Sequence, residues 1–471
     1  MYSAYVTTLT NVRPHPNADR LQLADCFGNT VCVGLNAANG DKVIYFPTDG
    51  QLSVEYCAQN DLVRRKDENG NPAGGYLDPE KRNVRAIRLR GEKSDGITMP
   101  LESLTYTGVD ITTLTIGPLP SVVNGHEICQ KYIPKTNVKS YMGGAVNKTR
   151  KKKVAVAPLF AEHADTEQLA YNLSSFHPGD EIEITLKMHG TSQRTGYLPV
   201  LKGYKRTLWD RITHKEGKPI YDWGYVSGTR RVVLDSYDGG FYGDNQFREQ
   251  HSKMFEGKLW KGETVYYEVV GFTSGTFGTP IMASADNKKL QDKDFIKQYG
   301  QTTIFSYGCD PRSIEEQKGF LAEEIGCGLV DYKSCVKPQS DIYVYRMTMT
   351  NEDGFVVDYH PNFMRYRCEQ MGVKCVPVLW KGFIPEHPGS KDDPTITAGE
   401  WVKNVAELYY DGPDPVGKTH VREGVVIRIV DRPKFAAYKH KNFSFKVLEG
   451  IAKVEADAPD MEEAQDVSEN T

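Results

Sequence analysis

The sequence contains no long apolar run. No window approaches about 18 uninterrupted apolar residues, the length that a membrane-spanning helix needs. The first residues, MYSAYVTTLTNVRPHP, also lack the basic stretch followed by an apolar stretch that marks a secretory signal. We therefore expect neither membrane insertion nor secretion.

Paired cysteine motifs are absent as well. The nine cysteines are odd in number, scattered along the chain and form no CxxC pair. This pattern argues against a disulfide framework and against a structural zinc site. A reducing compartment suits such a chain, so we expect the cytoplasm, or the host cytoplasm if the protein is viral.

The overall charge is nearly balanced, with a formal net charge of −4, so it does not by itself indicate a nucleic-acid partner. The charges are nevertheless unevenly distributed. Residues 148–153 read KTRKKK, which fits either a solvated linker or a contact with a phosphate backbone. The residues after Lys453 are acidic or neutral, and we expect an acidic disordered tail over 451–471.

The length of 471 residues suggests two or three domains. Residues 1–122 alternate short apolar segments with Gly, Asn, Asp and Pro, which predicts a small all-β domain. The predicted strands are YVTTL, RLQLADC, TVCVG, KVIYF, VRAIRLRG and GITMPL. Residues 123–153 are expected to form a basic linker, and 154–450 a larger α+β domain.

Strand-like and helix-like patterns alternate in the larger domain. EIEITLK and TVYYEVVGF are predicted strands, whereas SIEEQKGFLAEEIG and NFMRYRCEQMG carry helical spacing. Three stretches, 203–224, 278–300 and 384–420, are rich in Gly, Pro, Lys and Asp, so we expect surface insertions there.

The N-terminal domain carries a distinctive segment, HPNADRLQLADC at 15–26. Together with a later LRGEKSDGI, it resembles the OB-type tRNA-binding domains, which have a similar HPNADRL segment early in their barrel. The resemblance implies an OB-like β-barrel over 1–122, a common platform for single-stranded nucleic acid or RNA. Any small β-barrel needs such turns, and barrels also serve as plain scaffolds.

Lys187, at the end of EIEITLK, is the candidate nucleophile. Ile182, Ile184 and Leu186 share one face of the predicted strand, so Lys187 lies on the other face. Gly190 permits a tight turn and the close approach of a ligand. A lysine held in this way could clamp a phosphate or act as a nucleophilic amine. Most lysines at strand ends, however, are simply solvated.

Four further segments follow in order: YVSGTRRVV, TVYYEVVGF, REGVVIRIV and AYKHKNFSFK. With KMHGTS around Lys187, they resemble the ordered motifs of the covalent nucleotidyltransferases, the ligases and capping enzymes. The KxHG form of the first motif is typical of RNA ligases of the phage and kinetoplastid-editing type. An OB-like module before the catalytic domain further resembles the RNA ligases with an N-terminal OB domain. The implied fold is an ATP-grasp-like adenylation domain of antiparallel sheets with flanking helices.

The same resemblance implies roles for individual residues. Lys187 would become adenylylated, and Lys439 and Lys441 would be catalytic lysines that grip the phosphates. The nucleotide-binding residues would be His189, Gly190, Arg230, Glu268, Tyr345 and Glu423. Tyr345 would stack on adenine, with Phe305 as the alternative. Glu268 and Glu423 would hold Mg²⁺ through water.

The sequence departs from the family pattern at two points, the residue before Lys187 and the spacing of Glu268 and Glu423. Leu186 stands where many RNA ligases carry a glutamate that reads adenine, so the residue that reads the base is left open. Arg194 is an alternative or a supplement to Arg230 near the ribose or phosphate. The long separation of Glu268 from Glu423 also implies insertions between them.

These residue types suit an adenylylation reaction. Attack of an amine on the α-phosphate of ATP needs a neutral lysine, neutralised phosphates and in-line departure of pyrophosphate. Lys439 and Lys441 alternate on one strand, so both charges can act on one face. We expect an RNA ligase that uses ATP and Mg²⁺, with Mn²⁺ as a substitute. It would join 3′-OH and 5′-phosphate ends of RNA, or of a nicked duplex containing RNA, through lysyl-AMP and a 5′-adenylylated strand.

Other functions stay open. A DNA ligase or a GTP-using capping enzyme shares the covalent chemistry, but the histidine of KMHG and the leading OB-like module count against both. A catalytically inactive nucleic-acid-binding protein on a ligase fold would not need Lys187, both glutamates and both C-terminal lysines. A tRNA-binding or synthetase-associated factor would explain HPNADRL alone.

Overall fold

The computed structural model describes most of the chain. The described residues are 2–66, 68–70, 72–132, 156–164, 166–207, 209, 217–234, 237, 245–271, 273, 281, 340–389, 395–412, 414–416, 422–432 and 434–447. They fall into two compact units, one of 2–132 with 443–447 and one within 156–442. The segment SIEEQKGFLAEEIG, Phe305, the basic run and the acidic tail lie outside these residues. Within them, no helix has both the length and the apolar character required to span a bilayer.

The first unit consists mainly of short strands. These are β1 (Ala4–Thr8), β2 (Thr10–Pro14), β3 (Gln22–Cys26), β4 (Asn29–Val33), β5 (Lys42–Phe46), β6 (Gly50–Leu52), β7 (Arg65–Lys66), β8 (Pro72–Gly74), β9 (Ala86–Leu89), β10 (Glu92–Asp95), β11 (Ile97–Pro100), β12 (Gly117–Leu119), β13 (Val122–Val123), β14 (His126–Glu127) and β15 (Cys129–Lys131). Helix α1 (Val54–Gln59) and the 3-10 helices Leu101–Thr107 and Ile111–Thr113 accompany them. The largest sheets have the orders β11-β5-β1-β12 and β2-β3-β4.

The strand predictions for this unit are confirmed. The six predicted segments correspond to β1, β3, β4, β5, β9 and β11. Alternate residues such as Ala4 and Val6 of β1 and Ile44 and Phe46 of β5 pack into one buried core, as the two-residue period of a strand requires. No sheet of the described residues closes on itself, so the OB-like barrel stays a prediction.

The HPNADRL segment forms hydrogen bonds with a turn elsewhere in the first unit. Nε2 of the buried His15 lies 3.1 Å from the carbonyl oxygen of Leu89, while its Nδ1 accepts a hydrogen bond from the backbone N–H of Asn17. The side-chain amide of Asn17 in turn donates to the carbonyl oxygen of Arg90. The segment therefore holds the turn between β9 and β10, which is the LRG part of the second quoted segment.

Residues 443–447 complete the first unit. Phe443 is buried with Ala86 and Val447, and the cationic groups of Arg88 and Lys93 lie 5.6 and 5.3 Å from its ring centre. Lys446 also pairs with the buried Asp95 at 2.6 Å. A distant part of the chain thus contributes to this core.

The second unit contains the remaining described elements. Its strands are β16 (Glu167–Gln168), β17 (Glu181–Leu186), β18 (Thr191–Lys205), β19 (Lys218–Gly228), β20 (Val233–Leu234), β21 (Glu263–Gly271), β22 (Ser340–Thr350), β23 (Val356–Asp358), β24 (Lys374–Cys375), β25 (Val378–Phe383), β26 (Gly424–Ile429) and β27 (Ala436–Lys441). Its helices are α2 (Gln246–Lys253), α3 (Pro361–Met371), α4 (Ala398–Glu407) and the 3-10 helices Leu169–Tyr171 and Leu173–Ser175.

Two sheets organise this unit. The five-stranded sheet has the order β16-β27-β26-β17-β25, and one of its faces packs Ile182, Ile184, Val425 and Ile427 against α4. The seven-stranded sheet has the order β20-β19-β18-β21-β22-β23, with β24 beside β22. One of its faces forms a core with α2 and α3. The long strand pairings are antiparallel, so the predicted α+β class with antiparallel sheets is confirmed.

Several local predictions can be compared with these elements. The predicted strands EIEITLK and TVYYEVVGF correspond to β17 and β21, and NFMRYRCEQMG forms α3, as expected. Surface insertions were expected at 203–224, 278–300 and 384–420. Apart from residue 281, the stretch 278–300 lies outside the described residues, and the other two stretches contain regular elements. The stretch 203–224 enters the β18–β19 hairpin, where Lys205 pairs with Lys218. The stretch 384–420 contains α4, which begins at a capping box formed by Thr397 and Glu400. A composition rich in Gly, Pro, Lys and Asp indicates that a segment is exposed to solvent. Exposed residues can still form the regular hydrogen bonds of a helix or strand.

Candidate active site

Lys187 lies on the short connection between the two sheets of the second unit. It follows the last residue of β17 in the five-stranded sheet, and β18 of the seven-stranded sheet begins at Thr191. Lys187 was predicted to end this strand and lies one residue beyond its last residue. The KMHG residues therefore pass from one sheet to the other, where side chains from both can meet.

Three neighbouring strands bring distant residues to Lys187. Its backbone N–H donates to the carbonyl oxygen of Gly424 at 3.0 Å, and Gly424 pairs with Lys441 in the β26–β27 ladder. Gly424 has a φ of +142°, and a Cβ there would lie 2.2 Å from the carbonyl oxygen of His440. Only glycine fits this position without strain. Residues 187, 424 and 441 consequently form one row at the sheet edge.

Glu423, just before β26, is the centre of this cluster. Its carboxylate lies 2.6 Å from Nζ of Lys187 and 3.5 Å from Nζ of Lys441. Nδ1 of His189 lies 3.4 Å from its second oxygen. The Glu423 side chain is only 5% exposed, whereas that of Lys187 is 20% exposed. The carboxylate is thus buried among three basic groups, with the lysine amine closer to solvent.

The charge state of Glu423 follows from these neighbours. Burial alone would raise its pKa, because a buried carboxylate is poorly solvated. The positive charges of Lys187 and Lys441 and the hydrogen bond with His189 nevertheless hold the pKa of Glu423 well below its usual range. Glu423 therefore stays ionised at neutral pH.

Lys439 lies on the same strand face as Lys441, one row further along β27. It pairs with Val426, which pairs with Thr185 on β17. Since side chains alternate between the faces of a strand, Lys439, Thr185, Lys441 and Lys187 all lie on the face opposite the apolar core. This face carries the cations of the site.

Gly190 brings Glu268 next to the Lys187 connection. A Cβ on Gly190 would lie 2.4 Å from the carbonyl oxygen of Val269 and 2.9 Å from Cγ of Glu268. Glu268 is half-buried in the middle of β21, opposite Ser192 of β18 and Tyr343 of β22. The glycine is therefore required by the close approach of β21. It is not required by a positive φ, as a tight turn would demand.

Tyr345 occupies an irregular position in β22. The register with β21 shifts between Tyr266 and Tyr267, which are opposite Arg346 and Val344, so Tyr345 lies at a bulge. Bulges re-aim side chains. The Tyr345 hydroxyl lies 2.8 Å from Oγ of Ser192, five residues after Lys187. Its ring meets that of His163 edge to face at 4.9 Å.

Three other positions considered in the sequence analysis are Arg230, Arg194 and Leu186, and the structure shows where each of them lies. Arg230 lies in the turn after β19, at the end of the sheet where β18 begins. Arg194 is fully buried, with its guanidinium 4.3 Å from the ring centre of Phe160, which favours a packing role. Leu186 is buried with Met188 and neighbouring apolar side chains, so it lines the core behind the connection.

Several residues near the site gave no recognisable signal in the sequence. Arg248 of α2 is buried and donates to Oγ1 of Thr191 at 2.9 Å and to the carbonyl oxygen of Ser192 at 3.2 Å. Gln193, also buried, donates to the backbone carbonyl of Arg248 at 2.8 Å. The polar residues 191–193 after KMHG could have indicated hydrogen bonds of this kind. Their partner, Arg248, is however more than fifty residues away in the sequence.

Two groups of side chains could be considered as metal ligands. Glu423 and Glu268 flank the KMHG connection. A further group, Glu181, His360 and Asp431, has donor atoms within 4.8 Å of one another. In that group, Nδ1 of His360 accepts a hydrogen bond from the backbone N–H of Asn362, so the proton of a neutral ring is on Nε2. His360 and Asp431 are exposed, whereas Glu423 is buried, so the Glu423 region is the better candidate.

Comparison with known proteins gives a structural match. No protein-family model matches the chain, and no curated protein matches it in sequence. A variant of Naegleria gruberi RNA ligase with ATP and Mn has a TM-score of 0.53 at 15% identity, covering 96% of this chain and 99% of that chain. A second variant with ATP and Mn has a TM-score of 0.52 at 15% identity, covering 97% and 99%. A third, with AMP and Mn, has a TM-score of 0.51 at 14% identity, covering 97% and 99%. The chain is thus similar to these RNA ligases along nearly its whole length, and it has an RNA ligase fold.

Proposed function

We propose that this protein is an ATP-dependent RNA ligase in which Lys187 is the nucleophile. The observation that carries the proposal is the meeting of Lys187, His189 and Lys441 at the buried carboxylate of Glu423. The RNA ligase fold supports it. Structures of similar fold that contain ATP with Mn, and AMP with Mn, support the use of ATP and a divalent metal.

The first step is the transfer of AMP to the protein. Nζ of Lys187 attacks the α-phosphorus of ATP, a P–N bond forms, and the bond to the bridging oxygen breaks so that pyrophosphate leaves with the electron pair. The amine, whose side chain is partly exposed, loses its proton to solvent water before it attacks. Lys441 keeps a second positive charge beside Glu423, so this carboxylate stays balanced when Lys187 becomes neutral.

The carboxylates fit a hydrated divalent cation. Mg²⁺ prefers oxygen ligands and retains several waters, and Mn²⁺ accepts the same ligands. Glu423 is already paired with two lysines, which suits binding through water, and the half-buried Glu268 lies across Gly190. The cation would supply positive charge at the phosphate oxygens during the transfer.

The remaining predicted residues surround the nucleotide in this proposal. Lys439 lies on the charged strand face and grips the phosphates with Lys441. Arg230 contacts the ribose or phosphate from the turn after β19. Tyr345, held by Ser192 and set beside His163, stacks on adenine. The buried position of Leu186 implies that another group reads the base.

RNA is the proposed partner in the later steps. AMP passes from Lys187 to a 5′-phosphate, and a 3′-hydroxyl then attacks that phosphate and releases AMP. We assign residues 1–122 to an OB-like nucleic-acid-binding domain, 123–153 to a basic linker, 154–450 to the adenylation domain and 451–471 to an acidic tail. We place the reaction in the cytoplasm.

The proposal is tested by intact-protein mass after incubation with ATP and Mg²⁺ or Mn²⁺. The expected result is a gain of one AMP that is acid-labile, reversed by pyrophosphate and absent from Lys187→Ala. The adenylylated protein is then given nicked RNA, nicked DNA and mixed duplexes, and sealing of RNA is expected.

Other outcomes would overturn the proposal in distinct ways. An adduct formed with GTP and not with ATP would indicate a capping-type enzyme, and sealing of DNA alone would indicate a DNA ligase. The absence of any adduct, after removal of pre-bound nucleotide, would leave a nucleic-acid-binding protein on a ligase fold.

Gly190→Ala is expected to disturb both packing and reaction. The new Cβ would meet backbone at 2.4 Å, and backbone cannot move aside as a flexible side chain can. We expect the free energy of unfolding to fall by about 2 kcal/mol. We expect AMP-adduct formation to slow by about 100-fold, because the Lys187 connection is displaced from β21.

The matched control for this change is Gly34→Ala. Nothing lies within 4 Å of a Cβ at Gly34, so this substitution should leave both quantities nearly unchanged. Denaturant unfolding and the rate of adduct formation are the measurements. Wild-type values in Gly190→Ala would show that β21 does not constrain the connection.

A further inference from the structure

A row of aromatic side chains crosses the surface of the second unit. We define the aromatic row as Tyr197, Trp223, Trp260, Phe363 and Tyr366. Ring centres lie 5.8 Å apart for Tyr197 and Trp223, 6.3 Å for Trp260 and Phe363, and 6.2 Å for Phe363 and Tyr366. Lys261, whose Nζ lies 5.2 Å from the Trp223 ring centre, directly follows Trp260 and joins the two parts.

The secondary structure explains this continuity. Tyr197 of β18 and Tyr225 of β19 are directly opposite and stack at 4.7 Å. Trp223 lies two residues before Tyr225 and therefore on the same face of the hairpin. Phe363 and Tyr366 are three positions apart on α3, which packs against that sheet face. The row thus runs from the hairpin to the helix.

Much of the row faces solvent. Trp260 is 47% exposed, Phe363 38% and Tyr366 53%. Contiguous exposed apolar surface usually marks a binding site. Exposed aromatic rings are a particular case, because each presents a flat face that can stack on a ligand. A binding role accounts for their exposure better than a core role.

Neighbouring side chains fix the exposed rings of Trp260 and Tyr366 in place. The guanidinium of Arg367 lies 3.9 Å from the ring centre of Trp260, and Arg367 pairs with the buried Glu263 at 2.8 Å. The hydroxyl of Tyr366 accepts a hydrogen bond from Gln370 at 2.8 Å. Side chains fixed in this way lose little freedom when a ligand stacks on them.

Positive charge accompanies the row. Arg206 is exposed directly after the end of β18. Lys202, Lys205 and Lys218 lie on the opposite face of the hairpin from Trp223, and a Cβ on Gly224 would lie 3.1 Å from Nζ of Lys202. Lys261 supplies a cation within the row. Aromatic faces beside cations suit a polyanion with flat bases. The core of a protein interface, by contrast, is depleted of charged residues.

We propose that the aromatic row binds a single-stranded segment of the RNA substrate, with bases stacking on the rings and a phosphate facing Lys261. The identity of the strand as RNA rests on the proposed function. The row would hold the substrate outside the adenylylation site. It should therefore affect RNA affinity and leave the ATP step unchanged.

The test is the variant Trp260→Ala/Tyr366→Ala with a 5′-phosphorylated single-stranded RNA, measured by fluorescence anisotropy. Stacking contributes about 1–3 kcal/mol per base, so losing two rings should weaken binding at least about 30-fold. Tyr366→Ala alone should weaken it about fivefold, and it leaves the Arg367–Glu263 pair undisturbed. Phe355→Ala, at a 71% exposed ring outside the row, is the matched control and should bind normally.

The same proteins are assayed for AMP adduct with ATP and no RNA. Loss of RNA affinity with a normal adduct supports the aromatic row. A normal adduct with unchanged RNA affinity in both row variants overturns the row and leaves the ligase proposal standing. If the row variants lose RNA affinity but neither they nor the wild-type protein forms an AMP adduct, the ligase proposal is overturned and the RNA-binding role of the aromatic row stands. Failure of the wild-type protein to bind RNA overturns the row and favours a protein as its ligand.

Discussion

Lys187→Arg is expected to abolish the AMP adduct, with a loss of more than about 10⁴-fold in the rate of its formation. Arginine keeps the positive charge that faces Glu423, so the ion pair now formed at 2.6 Å can persist. A guanidinium does not lose its proton in proteins, however, and cannot attack phosphorus. The variant should thus fold normally and be chemically inert. Intact mass and thermal unfolding measure the two properties.

The matched control is Lys381→Arg. Lys381 is also a strand lysine paired with a carboxylate, 2.8 Å from Glu181, but it lies on β25 outside the Lys187 cluster. Its replacement should leave both adduct formation and stability near wild type. An adduct that still forms in Lys187→Arg within tenfold of the normal rate would show that another lysine is the nucleophile, and Lys441 would then be examined.

Glu423→Gln is expected to have the second largest effect. Glutamine keeps the shape and removes the charge that Lys187, Lys441 and His189 surround. Removing one partner from a buried ion pair leaves uncompensated charge, so the free energy of unfolding at pH 7 should fall by about 3 kcal/mol. Adduct formation should fall by about 10³-fold, since the carboxylate also serves as the proposed metal ligand.

The stability difference should depend on pH in a defined direction. The pKa of Glu423 is lower in the folded protein than in the unfolded chain. Its contribution is therefore complete above the unfolded-state pKa of about 4.3 and is lost as pH falls through the lower folded-state value. The difference between wild type and Glu423→Gln should stay constant from pH 7 to about 5 and shrink in acid.

Glu181→Gln is the appropriate comparison for this profile. Glu181 is a half-buried carboxylate at the opposite end of β17, paired with Lys381. It should cost less stability and leave adduct formation intact. A Glu423→Gln difference that grows toward low pH would contradict the assigned charge state, and a normal adduct would remove Glu423 from the reaction.

Part of the site could be predicted because it depends on local pattern. A two-residue alternation placed Ile182 and Ile184 on the core face and Lys187 on the other, and β17 has this arrangement. The same period put Lys439 and Lys441 on one face. The ordered motifs also supplied Glu423 as a candidate, although their spacing contains no information on distances between residues.

Other features depend on partners that are remote in sequence. Glu183 shares the strand face of Lys187, and it is buried there and paired with Arg365 of α3 at 2.7 Å. Arg248 forms hydrogen bonds with the start of the strand after Lys187, although it is more than fifty residues away in the sequence. The aromatic row joins a hairpin to a helix, and tyrosine content alone could not distinguish it from ordinary core.

The sequence by itself determined the strand character around Lys187, the residue types needed for adenylylation and the order of the candidate motifs. These follow from side-chain chemistry and from the local geometry of the backbone. Only the tertiary structure decided that Lys187, Glu423 and Lys441 meet, because this requires β17, β26 and β27 to pair in that order and register. The order and register of the strands depend on the burial of entire strand faces in the packed sheet. They cannot be read from any single segment of the sequence.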